Sequence, residues 1–269
     1  MALPTHIYIG YDKSGSTWLF NALLSNPYVS LPSSKETFYF DRYYNKGLKW
    51  YSAFFSDAAD VRLDISHDYI FSSESLLRIK SDLPAAKCIV FLRNPIDKLW
   101  SMYKYALRAN KISGSLRDEI CNDPGILTRS FYYSQVKFVL DNFPDTKFFF
   151  FEDLQSNPCA FYNDFCQYLG VPSKSSANLS LVVNPSSSLK FSSLSPFFKF
   201  GTSILRAFGA YRLIGLLKTN RYFFNFFFKS NDLLISDDDY NYLLDIFHDD
   251  ISKLSSLLNI DLSHWSEYK

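Results

Sequence analysis

The chain is short of several things, and each shortage removes a class of function. It holds only four cysteines, Cys88, Cys121, Cys159 and Cys166, with neither a C-x-x-C pair nor a metal-binding Cys/His spacing. That argues against zinc fingers, thioredoxin-like centres and disulfide frameworks, and predicts reduced, packed thiols. No apolar run is long enough to span a bilayer, and residues 1–5 carry no basic leader, so a cytoplasmic protein without signal peptide or anchor is expected. Net charge is almost absent: 28 Lys and Arg against 27 Asp and Glu leave +1, which argues against nucleic acid as a partner. No repeat, linker or low-complexity tract interrupts the 269 residues, so one domain over 1–269 is expected. Aromatics are plentiful instead, with 27 Phe and 19 Tyr to fill a core and line an apolar pocket.

The chain is organised around residues 6–24. A short apolar alternation (Ile7, Ile9) ends in a small polar loop, and a helical pattern begins at Trp18, Leu19, Ala22 and Leu23. Strand, tight loop and helix together aim backbone amides and the positive end of a helix dipole at one point, which suits an anion. Lys13, Ser14, Ser16 and Thr17 add a cation and three hydroxyls around Gly15. Gly10 and Gly15 have the separation of a nucleotide P-loop, but Ser16 stands where that motif needs lysine, and the lysine comes earlier, at Lys13. The plain alternative is a Ser/Gly-rich turn capping an ordinary helix.

Downstream, Lys35-Glu36 precedes the aromatic run Thr37-Phe38-Tyr39-Phe40, and residues 61–65 alternate like a strand leading to Ser66-His67-Asp68. His67 is either a group that touches a substrate or an ordinary polar loop residue. Residues 72–81 read as a helix. Residues 87–92 are a continuous apolar run closed by Arg93, the pattern of a strand covered on both faces, and a helix follows with Ser101 about two turns in. Arg93 thus falls at the carboxyl end of a strand, where open parallel sheets bind ligands. Residues 146–151 suggest another buried strand, followed by an acidic loop at Glu152-Asp153, and Ser236 caps a last helix. Between Asp164 and Asp232 there is no acidic residue, while Lys174, Lys190, Lys199, Arg206, Arg212, Lys218, Arg221 and Lys229 are basic. That stretch is a lid for an anionic cofactor, a peripheral membrane contact through residues 197–229, or a solvated basic face.

The loop Lys13-Ser14-Gly15-Ser16-Thr17-Trp18 resembles the 5′-phosphosulfate loop of sulfotransferases that use 3′-phosphoadenosine 5′-phosphosulfate (PAPS). Lys35-Glu36-Thr37-Phe38-Tyr39-Phe40 is similar to the Lys-Glu-x-x-Phe-Phe segment of the heparan-sulfate-type and many bacterial members, whose glutamate is the general base. Arg93, within Phe-Leu-Arg-Asn-Pro, and Ser101 eight residues on resemble the family's 3′-phosphate site. The resemblance implies an α/β, P-loop-like three-layer fold: a central parallel sheet flanked by helices, with a helical C-terminal region. It also implies PAPS as co-substrate, without a metal. Glu36 would be the base and Lys13 would stabilise the leaving phosphate, with Ser14 to Thr17 around it. Trp18 would stack on adenine or pack in the core, Lys190 would complete the 3′-phosphate site, and His67 would stand next in line as base.

Phe38 and Ile65 stand where heparan-type members carry polar groups, which favours a small-molecule alcohol or amine over a long anionic polysaccharide. The other readings are an ATP- or GTP-dependent phosphotransferase, a carbohydrate sulfotransferase, and a PAPS-binding or membrane-surface protein without turnover.

Overall fold

The computed structural model describes residues 1–174, 179, 187–189, 228–230 and 233–268. Lys190, residues 197–227 and most of the acid-free stretch lie outside them, and with them the expectations attached to that stretch. The described chain falls into two compact units. The first comprises residues 1–102, 114–182 and 235–269, and the second residues 103–113 and 183–234.

In chain order the elements are β1 (His6–Tyr8), α1 (Ser16–Leu23), β2 (Val29–Ser30), α2 (Tyr39–Arg42), α3 (Gly47–Ser52), β3 (Val61–Ile65), α4 (Ser73–Asp82), β4 (Lys87–Leu92), α5 (Pro95–Arg108), α6 (Leu116–Asn122), α7 (Gly125–Thr128), α8 (Tyr133–Asn142), β5 (Lys147–Phe150), α9 (Phe151–Ser156), α10 (Pro158–Leu169), β6 (Ser187–Leu189), β7 (Phe228–Ser230) and α11 (Asp237–Leu258). β6 and β7 form an antiparallel pair within the second unit.

The first unit is built on a five-stranded sheet in the order β2-β3-β1-β4-β5, with every neighbouring pair parallel. The expected α/β architecture is the one found. Both faces are covered, because residues of both phases are buried: Tyr8, Ile89 and Phe91 on one, Ile7, Ile9 and Val90 on the other. Phe91 meets Tyr8, Phe161 and Phe165 edge-on at 5.3, 5.4 and 5.8 Å, which packs α10 against the sheet beside Leu19, Ala22 and Leu23 of α1. From β1 the chain moves outward to β2, returns to β3, then crosses to β4 on the other side. The carboxyl ends of β1 and β4 therefore flank the switch point, where such sheets bind ligands.

Three local expectations need correction. β5 is an edge strand in which only Phe149 is buried, since an edge strand has a neighbour on one side alone. The acidic loop after it is the helix α9, which begins at Phe151 directly from the strand. All four cysteines are free, but Cys121 and Cys159 are exposed rather than packed.

Two buried features hold the switch point in shape. Gly15 sits at φ 101°, left-handed backbone that glycine tolerates, and a Cβ there would come within 2.9 Å of Leu154 Cδ2. Asp64, fully buried on β3, accepts hydroxyls from Ser66 (2.7 Å), Tyr51 (2.7 Å), Thr37 (2.9 Å) and Tyr69 (3.5 Å). Burial pushes its carboxyl up to about 6, and the hydroxyls only moderate that rise.

Gly15→Ala should destabilise the protein by about 2 kcal/mol or more in denaturant unfolding, because strain and overlap add. For Asp64 the folded carboxyl holds its proton more tightly than the unfolded one, so its contribution is full below pH about 4 and lost as pH rises through about 6. Between pH 4 and pH 7 the unfolding free energy of the native chain should fall by about 2 kcal/mol relative to that of Asp64→Asn.

Candidate active site

The loop after β1 is fixed from inside the sheet. The fully buried Tyr8 donates its hydroxyl to the carbonyl of Tyr11 at 2.6 Å, and Ser14 Oγ donates to the carbonyl of Asp12 at 3.3 Å. Lys13 takes left-handed backbone at φ 59°, and Gly15, also left-handed, is the N-cap of α1. Among the described residues no side chain caps this helix, so the amides of its first turn and its dipole face the loop.

Lys35 comes from the next segment and reaches into that loop. Its Nζ lies 3.2 Å from Ser16 Oγ, 3.3 Å from Thr17 Oγ1 and 2.5 Å from Glu36 Oε1. One ammonium group thus joins the helix start to the expected base. Glu36 is held there from behind: the Thr37 amide donates to Ser66 Oγ at 2.9 Å, and Thr37 Oγ1 donates to Asp64. The Asp64 network therefore ties the Glu36 segment to the carboxyl end of β3.

The residues after β3 complete the rim. Asp68 N–H donates to the Gly10 carbonyl at 3.1 Å and Ile70 N–H to that of Ile9 at 3.0 Å, which docks the turn on the end of β1. His67 is partly exposed, with Nε2 3.7 Å from Glu36 Oε1 and Nδ1 3.0 Å from Asp68 Oδ2. Arg129 pairs with the other Asp68 oxygen, and its guanidinium stacks on Phe71 at 4.4 Å. Burial raises the Asp68 carboxyl, but His67 and Arg129 outweigh it and hold the group below the usual carboxylate range. The fully buried Lys98 donates to the Arg129 carbonyl (2.5 Å) and lies 3.7 Å from Asp12 Oδ1. Burial lowers its ammonium to about 8 despite Asp12.

Arg93 stands at the end of β4, across the switch point. Its Nη1 donates to the Lys13 carbonyl at 2.9 Å, its guanidinium lies 4.3 Å over the Phe151 ring, and its Nε has no hydrogen-bond partner among the described residues. Burial lowers its pKa, against Asp97 and Glu152. Glu152 accepts the Asn94 amide at 2.8 Å, binding the turn after β4 to α9. Ser101 is half-buried on α5, and none of the hydrogen bonds described for Arg93 reaches it. Trp18 is half-buried and meets Phe161 edge-on at 5.8 Å, against the core.

The structure thus gathers Ser14, Gly15, Ser16, Thr17, Glu36 and His67 about one end of the sheet, with Lys13 and Arg93 joined across it. Lys190 lies outside the described residues. Sequence reasoning gave no role to Lys35, Asp64, Lys98 or Arg129. Lys35 was detectable as the neighbour of Glu36, whereas Arg129 meets Asp68 across 61 positions and had no local signal. Among the described residues no group of His, Cys, Asp and Glu side chains is arranged to hold a metal, and no helix is long and apolar enough to cross a membrane.

Residues 4–199 match the family model described as "Sulfotransferase domain". The chain is similar to the membrane-associated sulfotransferase kil1 of Dictyostelium discoideum, 31% identical over 113 residues, which cover 40% of this chain and 24% of that protein. It is also similar to the bifunctional heparan sulfate N-deacetylase/N-sulfotransferase 4 of Mus musculus, 34% identical over 125 residues, covering 43% of this chain and 14% of the relative. The aligned stretches span about a quarter or less of those curated relatives. The crystal structure of a sulfotransferase from Alicyclobacillus acidocaldarius shares the fold, with TM-score 0.73 at 19% identity over 99% of this chain and 100% of the other. With more than half its length matched by that model, the chain belongs to the sulfotransferase domain family.

Proposed function

We propose that this protein moves a sulfuryl group from PAPS to a hydroxyl or amine of a small, partly apolar acceptor. The observation that carries the reading is the position of Lys35, in contact with Ser16, Thr17 and Glu36 at once. A phosphosulfate seated on the first turn of α1 would bring its sulfur beside the carboxylate that this lysine touches.

The chemistry follows from what each group can do. The acceptor oxygen or nitrogen attacks sulfur while its proton passes to Glu36, the base. The bond between sulfur and the 5′-phosphate oxygen breaks, and its electron pair stays on that oxygen. Negative charge develops there, against Lys13, Lys35, the hydroxyls of Ser16 and Thr17 and the amides after Ser14. Arg93, which still has an unused Nε donor, and Ser101 take the 3′-phosphate and fix the donor in line. The lysines supply the positive charge that a metal supplies in nucleotide P-loops, so the residues require none.

The acceptor class rests on Phe38. Its ring stands 5.7 Å from His67 and under the Arg42 guanidinium at 4.0 Å, an apolar wall next to the base. A second reading, a carbohydrate acceptor, is favoured by the similarity to a heparan sulfate N-sulfotransferase.

Calorimetry should give binding of 3′-phosphoadenosine 5′-phosphate (PAP) and much weaker binding of ATP; the reverse order would favour a phosphotransferase and overturn the reading. Glu36→Gln should lower kcat by about 10²- to 10⁴-fold while PAP binding is retained or tightened, since Lys35 is then released to the phosphate. Lys35→Ala should lower kcat by about 10²-fold or more and weaken PAP binding as well. A screen of small alcohols, amines and oligosaccharides with labelled PAPS, read by mass spectrometry, separates the acceptor classes. Sulfation of oligosaccharides alone would remove the small-molecule reading.

A further inference from the structure

His67 does not stand alone beside Glu36. It is the second member of an array that runs Glu36, His67, Asp68, Arg129, with Asp12 and Lys98 behind it. The Arg129 Nη2 atom that pairs with Asp68 lies 3.9 Å from Asp12 Oδ1, and Lys98 Nζ lies 3.7 Å from that same oxygen. Asp12 belongs to the phosphate loop, so the array joins that loop to the imidazole. Nδ1 of the ring lies 3.0 Å from Asp68 Oδ2, close enough for an ion pair but out of line for a hydrogen bond, and Nε2 lies on the Glu36 side.

An imidazole whose Nδ1–H is held by a carboxylate presents a bare Nε2 on its other side, and the carboxylate stabilises the imidazolium once Nε2 takes a proton. The backbone is arranged to support that contact. Asp68 is held at φ 82°, left-handed backbone that aspartate tolerates better than most residues, by the amide bond to Gly10. Its second oxygen is occupied by Arg129, whose guanidinium is fixed in turn on Phe71 and whose carbonyl accepts the buried Lys98. Among the described residues, the groups facing the ring are Glu36 from the segment before α2, the Phe38 ring beside it, and Asp68 from its own turn, with Lys35 and Arg129 paired to those two carboxylates.

We infer that Asp68 and Arg129 are positioning residues that hold His67 with Nδ1–H toward Asp68 and a bare Nε2 toward Glu36. This inference rests on the sulfotransferase reading for its purpose. The proton that Glu36 takes from the acceptor then has a place to go: it passes from the carboxyl to Nε2, Glu36 returns to carboxylate, and Asp68 faces the resulting imidazolium. At 3.7 Å the Glu36–His67 contact is longer than a hydrogen bond, while Lys35 holds the same Glu36 oxygen at 2.5 Å. A donor phosphate that draws Lys35 away frees that oxygen for the ring.

The tautomer of His67 can be read directly by ¹⁵N–¹H correlation of the imidazole rings, at a pH where the ring is neutral. The signal is assigned by its absence in His67→Gln. The spectra are taken on the full chain with and without PAP, and PAP binding is measured on the same samples by calorimetry. Expected is a protonated Nδ1 and a bare Nε2 in the native chain. Asp68→Asn, which keeps the size and tolerates the backbone, should lose that preference. Arg129→Gln should weaken it and Arg129→Lys restore it, with PAP binding unchanged throughout. A native ring protonated on Nε2, or a tautomer unchanged in Asp68→Asn, would overturn the inference. Failure of the native chain to bind PAP would count against the sulfotransferase reading instead, and the ring signals of the unliganded protein would still decide this one.

Discussion

The ammonium of Lys35 is the contact on which the site turns. It lies within 3.3 Å of two hydroxyls at the start of α1 and 2.5 Å from the carboxylate of Glu36. A base and an anion-binding loop must be close for group transfer, yet a carboxylate and a phosphate repel each other at short range. A cation between them removes the conflict. It also means that an arriving anion competes with Glu36 for the same lysine, so donor binding and exposure of the base are coupled through one group.

The rest of the first unit keeps that contact in place. The tight approach of β1 and β4 allows Gly10 no side chain without crowding, since a Cβ there would lie 3.2 Å from the Phe91 amide. Arg93 bonds back from β4 to the Lys13 carbonyl, so the two ends of the switch point are closed by a hydrogen bond as well as by the sheet. Behind Glu36, a buried carboxylate is surrounded by hydroxyls rather than by a cation. Neutral donors satisfy Asp64 without placing a second positive charge behind the base, at a cost in stability once it ionises.

Much of this was legible in the sequence because the signals were local. The strand–loop–helix at residues 6–24, the apolar run ending at Arg93 and the Ser236 cap each lie within a few residues of one another, and each appears where its pattern predicts. What escaped was either context or distance. The run Phe148-Phe149-Phe150 reads as a buried strand, but apolarity says nothing about whether a strand has one neighbour or two. The segment at Glu152 looked like a loop because its carboxylates sit in the first turn of a helix, where the dipole favours them. Asp64 is hidden inside a strand alternation, and Arg129 is paired with a residue 61 positions away. Such pairings are set by the crossover connections of a parallel sheet, and no window of sequence holds both partners.

The most direct measurement is a crystal structure with 3′-phosphoadenosine 5′-phosphate bound. The account predicts the 5′-phosphate on the amides of Ser16 and Thr17, with Lys35 Nζ turned from Glu36 to a phosphate oxygen and the 3′-phosphate against Arg93. A nucleotide bound away from α1, or one that leaves the Lys35–Glu36 pair intact, would contradict it.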